Sequence, residues 1–227
     1  PDSNFKNEIK EAIKKTKIQL KETFIYNTDP TILTSQIEKL TRYPQRKQRL
    51  KDELKRLTES EEVNKESKIA NLEKKDTLGG INFDSVIIAD FDESLKSVTT
   101  SLLYTDVSSK RVHYICMNQW FDESLLKEKS LQPIYFPSIN KKNYEEYVNE
   151  YLDIFNKYPN QISFLSYDLV GLLYFLLFDN DFVIDKKIFY KKNRFKGKIG
   201  IFEINKNKIS HLLNFYSVEN GEFKKIF

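Results

Sequence analysis

Three short apolar runs dominate the middle of the chain: residues 83–89 (FDSVIIA), 112–117 (VHYICM) and 131–136 (LQPIYF). Runs this apolar suit strands buried on both faces of a sheet, the situation of parallel sheets covered by helices. Between the first two, residues 93–104 have helical spacing. After the third, which Pro137 closes, two further helical stretches at 143–157 and 163–178 are parted by Tyr158-Pro159-Asn160. Strand and helix therefore alternate, and the alternation predicts an α/β protein with a doubly wound, mainly parallel sheet. From residue 198 the apolar period shortens to about two, through Ile199, Ile201, Phe202 and Ile204, then Leu212, Phe215, Tyr216 and Val218. With turns at Asn205-Lys206-Asn207 and Asn220-Gly221, this predicts a C-terminal β-hairpin region.

Upstream, Phe5, Ile9, Ala12 and Ile13 form one stripe of a helix at 4–15, capped by Asp2 or Ser3. Residues 18–26 read as a strand. After a turn at 27–30, a helix at 31–43 carries Ile32, Leu33, Ile37 and Leu40 and is interrupted by Pro44. The stretch 45–75 then holds 10 basic and 7 acidic residues, with apolar positions at Leu50, Leu54, Leu57 and a few later. It predicts a solvated, charged helical arm (45–76), broken near 60–66. A partner-binding coiled-coil arm is the alternative, with Leu50, Leu54 and Leu57 as its short seam.

Composition narrows the function classes. With 40% hydrophobic and 14% aromatic residues, the 227-residue chain is too apolar to be disordered. Its 37 basic and 33 acidic residues give a net charge of +4, a near balance unlike that of a dedicated nucleic-acid binder. Cys116 is the only cysteine, so no internal disulfide forms. No run approaches the roughly 18 apolar residues of a membrane span; the nearest, 164–178, carries Asp168.

No catalytic constellation stands out. His113 and His211 sit singly in apolar β segments and read as structural, and no spacing suits a metal site or a cofactor. Asp90, Asp92 and Glu93 follow the first strand, where ligands sit in doubly wound sheets. They either contact a ligand or cap the next helix. Met117-Asn118-Gln119-Trp120 follows the second strand, and the single Trp either lines a small-molecule cleft or plugs the core. The stretch 186–198 (KKIFYKKNRFKGK) interleaves cations and aromatics, the pattern of an anion-binding surface. In so lysine-rich a chain it reads first as solvated surface, with an anionic partner as the alternative.

Several segments in order carry a resemblance: PDSNFKNEIKEAI from Pro1, IEKLTRYPQRKQRL from Ile37, LGGINFDSVIIAD from Leu78, HYICMNQWFDESL from His113, YVNEYLDIFNKYPNQISFLSYDLVGLL from Tyr147 and FKGKIGIFEINKN from Phe195. Together they resemble the C-terminal portion of type I periplasmic binding proteins, the Leu/Ile/Val-binding-like family, and within it the penicillin-binding protein activator lipoproteins. The resemblance implies a periplasmic-binding-protein-like lobe spanning 1–160, with 161–227 belonging to or crossing back to a second lobe. It implies no chemistry, no cofactor and no nucleic-acid partner. It also implies a periplasmic location, with membrane contact only through a lipid anchor outside this chain, and a peptidoglycan synthase as partner. The alternative within the family is a transporter-associated solute receptor for an amino acid or similar molecule. The cleft residues implied are Phe5, Asp90, Phe91, Asp92, Asn118, Gln119 and Trp120. Asn118 stands where amino-acid binders carry a carboxylate, and losing that charge removes the natural partner of an α-ammonium group.

Overall fold

The computed structural model describes residues 3–27, 29–117, 120–183, 185–190, 193–198, 200–205 and 208–227. The chain divides into two compact units, Pro1–Val86 with Asp92–His113, and Ile87–Phe91 with Tyr114–Phe227.

The first unit is built mainly from helices: α1 (Ser3–Lys14), α2 (Pro30–Thr41), α3 (Tyr43–Glu59), α4 (Lys65–Leu72) and α5 (Asp92–Tyr104). Residues 17–27 form no regular element, which corrects the strand expected at 18–26. Ile18 and Ile25 are 64% and 77% exposed. Their alternation meets no buried face, and a strand without a neighbour leaves its ladder groups unpaired.

Local chemistry sets the helix ends. Asp29 caps α2 by accepting the N–H groups of Thr31 and Ile32 at 3.0 and 3.1 Å, and Pro30 occupies the first turn, where its missing donor costs nothing. Arg42, left-handed at φ 53°, ends α2 and starts α3, whose first turn accommodates Pro44. The charged arm stands as α3 and α4, broken between Ser60 and Asn64. Leu50 and Leu57 anchor α3, whereas α4 has no buried residue. At the break, Arg56 pairs with Glu53 and Glu62, and Lys68 pairs with Glu62. α2 packs on α3 and α5, with Leu33, Ile37, Leu95, Val98 and Leu102 buried.

One arm cation is not solvated. Arg46 is 1% exposed and donates to the Thr105 carbonyl (3.0 Å), the Thr77 hydroxyl (2.7 Å) and Asp106 Oδ2 (3.2 Å). Arg111 binds the same carboxylate at 2.9 Å. The guanidinium fork thus ties α3 to the residues that follow α5.

The second unit contains, in chain order, β2 (His113–Cys116, from Tyr114 on), α6 (Ser124–Lys127), β3 (Ile134–Ser138), α7 (Lys141–Phe155), α8 (Gln161–Phe178), β4 (Asn193–Lys196), β5 (Ile201–Asn205), β6 (Lys208–Leu212), β7 (Asn214–Glu219) and β8 (Glu222–Lys225). β1 (Ser85–Ile88) opens a five-stranded sheet ordered β1-β2-β3-β7-β8. β2 and β3 run parallel, with Tyr114 opposite Ile134. β7 lies antiparallel to β3, and the β7–β8 hairpin closes the edge through Asn220-Gly221, both at positive φ. The α/β class, the alternation of strand and helix and the C-terminal hairpins read from the sequence all stand.

Ile134, Phe136, Tyr114, Cys116, Tyr216 and Val218 fill the sheet core. Gln132 stitches it: its amide nitrogen donates to the carbonyls of Leu125 and Leu126 (3.0 and 3.1 Å), and its amide oxygen accepts the N–H of Gly221 (2.8 Å). A second, three-stranded antiparallel sheet, β4-β5-β6, forms a smaller core of Ile204 and Phe195 with Leu172, Leu176 and Ile188.

Candidate functional site

β1 and β2 are neighbours in the sheet, and the residues following each carry the candidate site. Asp90 and Phe91 follow β1. Asp90 is half-buried and accepts the N–H of Phe91 at 2.9 Å, while the Phe91 ring is 44% exposed. Trp120 and Phe121 follow β2, and both adopt left-handed backbone, at φ 47° and 57°. Bulky aromatic residues rarely occupy that region, and two in succession hold strain that the surrounding packing must over-determine.

The packing shows what holds them. Phe121, 4% exposed, meets Tyr216 (4.9 Å), Tyr144 (5.3 Å) and Phe223 (5.4 Å) between ring centroids. It is Phe121, rather than Trp120, that plugs the top of the core. Trp120 is half-buried and leans on Phe164 at 5.7 Å; Phe164 in turn packs on Tyr144 and Tyr147 at 5.0 and 4.4 Å. An aromatic column from α7 and α8 therefore backs the indole. The sequence singled out Trp120 but not Phe121 or Phe164, because an aromatic on a helix or in a turn carries no mark of its packing partner.

The remaining expected residues lie elsewhere. Asp92 belongs to the first unit, opening α5 at φ 48°. With Glu93 it places two carboxylates in the first turn, where the helix dipole favours them. Phe5 lies on α1, and its side chain falls outside the described part of the chain. Asn118 and Gln119 lie outside the described residues. The structure thus brings Asp90, Phe91 and Trp120 to the ends of adjacent strands.

The groups that carry chemistry elsewhere are occupied structurally. Cys116 is buried, and desolvation pushes its thiol up to about 12, so it stays protonated and unreactive at neutral pH. Burial likewise pushes the Tyr114 hydroxyl well above its ordinary range. Among the described residues no three His, Cys, Asp or Glu side chains converge on a metal position. No helix among them is long and apolar enough to cross a membrane.

The interleaved stretch 186–198 resolves into a 3-10 turn (Lys186–Phe189) and β4. Its alternation is that of a strand: Phe195 enters the small core, and Arg194 points outward to Glu203. Lys198 pairs with Glu150 and lies 5.9 Å over the Tyr167 ring. Lys191 and Lys192 lie outside the described residues.

Next to it, Asp168 on α8 is 2% exposed and accepts the backbone N–H of Lys198 at 2.8 Å. His211 stacks on Phe202 at 4.3 Å and 11°, its Nε2 buried without a hydrogen-bond partner. Gly197 and Gly200 face these two side chains, with no room for a Cβ at either position. The Phe195-x-Gly-x-x-Gly spacing therefore serves packing.

No family model matches the sequence, and no curated protein matches it. Among solved structures, the chain is similar to an extracellular ligand binding receptor from Desulfohalobium retbaense DSM5692, with a TM-score of 0.43 and 14% identity. The likeness covers 70% of this chain and 28% of that receptor, so the chain spans less than a third of its length.

Proposed function

We propose that this chain is a binding domain of the cell envelope that performs no chemistry on what it binds, part of a two-lobed periplasmic-binding-type protein. The observation that carries the reading is the pair of strand ends. Asp90 and Phe91 follow β1, and Trp120, held in a strained backbone and backed by Phe164, follows its neighbour β2. Aromatic surface with one carboxylate at the strand ends of an α/β sheet suits recognition of a small organic group or a peptide. The Cys116 thiol and the Tyr114 hydroxyl are buried, and among the described residues no His, Cys, Asp or Glu cluster could hold a metal ion.

Within that reading, the domain regulates a peptidoglycan synthase by direct contact in the periplasm, and residues 161–227 return to the second lobe. Two features support the regulatory role. The α3–α4 arm presents charged surface with no buried residue on α4, and Asn118 replaces the carboxylate that would hold an amino acid. The test is binding of the chain to a purified peptidoglycan synthase, with glycan polymerisation measured alongside. Stimulation that is lost on reversing Arg56 and Lys68 supports the role; neither binding nor stimulation overturns it.

A solute-receptor role is favoured by the partly exposed Phe91 and Trp120 side chains. A thermal-shift panel of amino acids and small metabolites tests it, since a ligand at about 100 times its Kd adds about 2.7 kcal/mol of stability. A hit from that panel together with a silent synthase assay establishes the solute receptor and overturns the regulator.

A further inference from the structure

The final hairpin turns on the only Asn-Gly pair in the chain. The turn fixes that choice. Asn220 and Gly221 both hold left-handed backbone, at φ 55° and 79°, and a two-residue turn of this kind selects asparagine followed by glycine. The same pair carries a chemical liability. A backbone nitrogen attacks the amide carbon of a preceding asparagine more readily when it belongs to glycine, which has no side chain to obstruct the approach. Asn220 is exposed, so water reaches the ring that such an attack forms.

The attacking nitrogen is restrained. The Gly221 N–H donates to Gln132 Oε1 at 2.8 Å, and Gln132 is 9% exposed. The carbonyls of Leu125 and Leu126 hold the other end of the Gln132 amide, so the acceptor does not follow if the Gly221 peptide rotates. Attack requires the nitrogen to give up its proton and turn toward the Asn220 side chain. A buried acceptor resists both steps, because breaking the bond leaves the Gln132 oxygen unpaired inside the protein.

We propose that Asn220 is a site of spontaneous, water-dependent deamidation whose rate is set by Gln132. In the reaction the Gly221 nitrogen loses its proton and bonds to the Asn220 side-chain carbonyl carbon. The C–N bond of that side-chain amide breaks, and its nitrogen leaves with the proton as ammonia. Water then opens the cyclic imide at either carbonyl, giving aspartate or, with the backbone routed through the side chain, isoaspartate. Nothing is oxidised or reduced. The product weakens its own turn. Glu219 and Glu222 stand opposite each other across it, with Lys224 3.7 Å from Glu219, and a further carboxylate between them adds repulsion. Isoaspartate also lengthens the backbone by a methylene, which displaces β8 from its register on β7.

Peptide mass spectrometry on the full chain, incubated at mildly alkaline pH, tests the proposal, with isoaspartate read by enzymatic methylation. The wild-type chain in native buffer loses the Asn220 amide about tenfold more slowly than in urea, the rate equivalent of about 1.4 kcal/mol. Gln132→Met keeps the volume and removes the acceptor, and it recovers most of the urea rate. Gly197→Ala, which loosens the other sheet, leaves the rate at that of wild type. A native rate equal to the rate in urea overturns the proposal whether or not the Gln132 variant folds. So does a folded Gln132→Met that is no faster than wild type, and so does an equal acceleration by Gly197→Ala, which assigns the rate to general loosening.

Discussion

Lys198 donates its backbone N–H to the Oδ1 of Asp168 at 2.8 Å, and the same carboxylate fills the space that a Cβ on Gly197 would need. A helix and a hairpin thirty residues apart are locked by one buried acceptor and one missing side chain. Gly197→Ala drives a methyl group into that carboxylate and breaks the lock. A loss of about 1–3 kcal/mol is expected, as for other overpacked sites, read by urea denaturation. Asp168→Ala leaves the Lys198 N–H unpaired and costs about 1–3 kcal/mol. Asp168→Asn keeps an acceptor and costs less. Equal effects of the two Asp168 variants would show that the hydrogen bond contributes nothing.

His211 gives stability a pH dependence. Burial holds its imidazole below the ordinary histidine range, and the nearby Asp168 carboxylate offsets this only in part. The folded state therefore binds this proton more weakly than the unfolded chain. The contribution is fully present above about pH 6.5, where the unfolded imidazole is neutral. It declines as the pH falls through that value. His211→Gln flattens the slope of stability between about pH 7 and 5.5; an unchanged slope would assign it to other groups.

Arg46 is the position in the arm where a charge reversal or truncation is most damaging. Its donors serve Thr77, Thr105 and Asp106 at once. Breaking a buried pair costs about 3–5 kcal/mol, and since Asp106 is 30% exposed a loss of about 2–4 kcal/mol is expected for Arg46→Ala. Lysine, a single point donor, does not restore the fork. Arg49→Ala and Lys51→Ala, exposed positions on the same helix, stay within ~0.5 kcal/mol. Denaturation midpoints separate the two classes.

Trp120 is the only tryptophan in the chain, so its emission reports directly on the candidate site. A ligand seated on the indole shifts or quenches that emission. Trp120→Ala weakens binding of the same ligand about tenfold, equivalent to about 1.4 kcal/mol, measured by calorimetry. Phe164→Leu removes the ring behind the indole and weakens binding less. Unchanged affinity in Trp120→Ala places the ligand elsewhere.

The strands at β1, β2 and β3 and the helices α7 and α8 were legible because burial writes apolar runs and 3.6-residue periods into a sequence. The supposed strand at 18–26 shows the limit of that signal: alternating Ile18 and Leu20 marks a strand only where another strand stands beside it, and here the residues are exposed. The cations and aromatics of 186–198 left two readings open for a related reason, since strand alternation and base-stacking interleaving look alike until Phe195 is seen in a core. Arg46 was hidden among nine other basic residues of the arm. The left-handed backbones of Asp92, Trp120 and Phe121 left no trace, because no glycine or asparagine announces them.

The amide of Gln132 joins two peptide carbonyls after the second strand to the glycine directly before the last strand. The final hairpin is therefore a keystone and not a trailing edge. Shortening the chain by its last strand strands a polar group in the interior and frees the α6 turn from its clamp, so proteolytic nicking at the far end would be felt halfway back along the polypeptide.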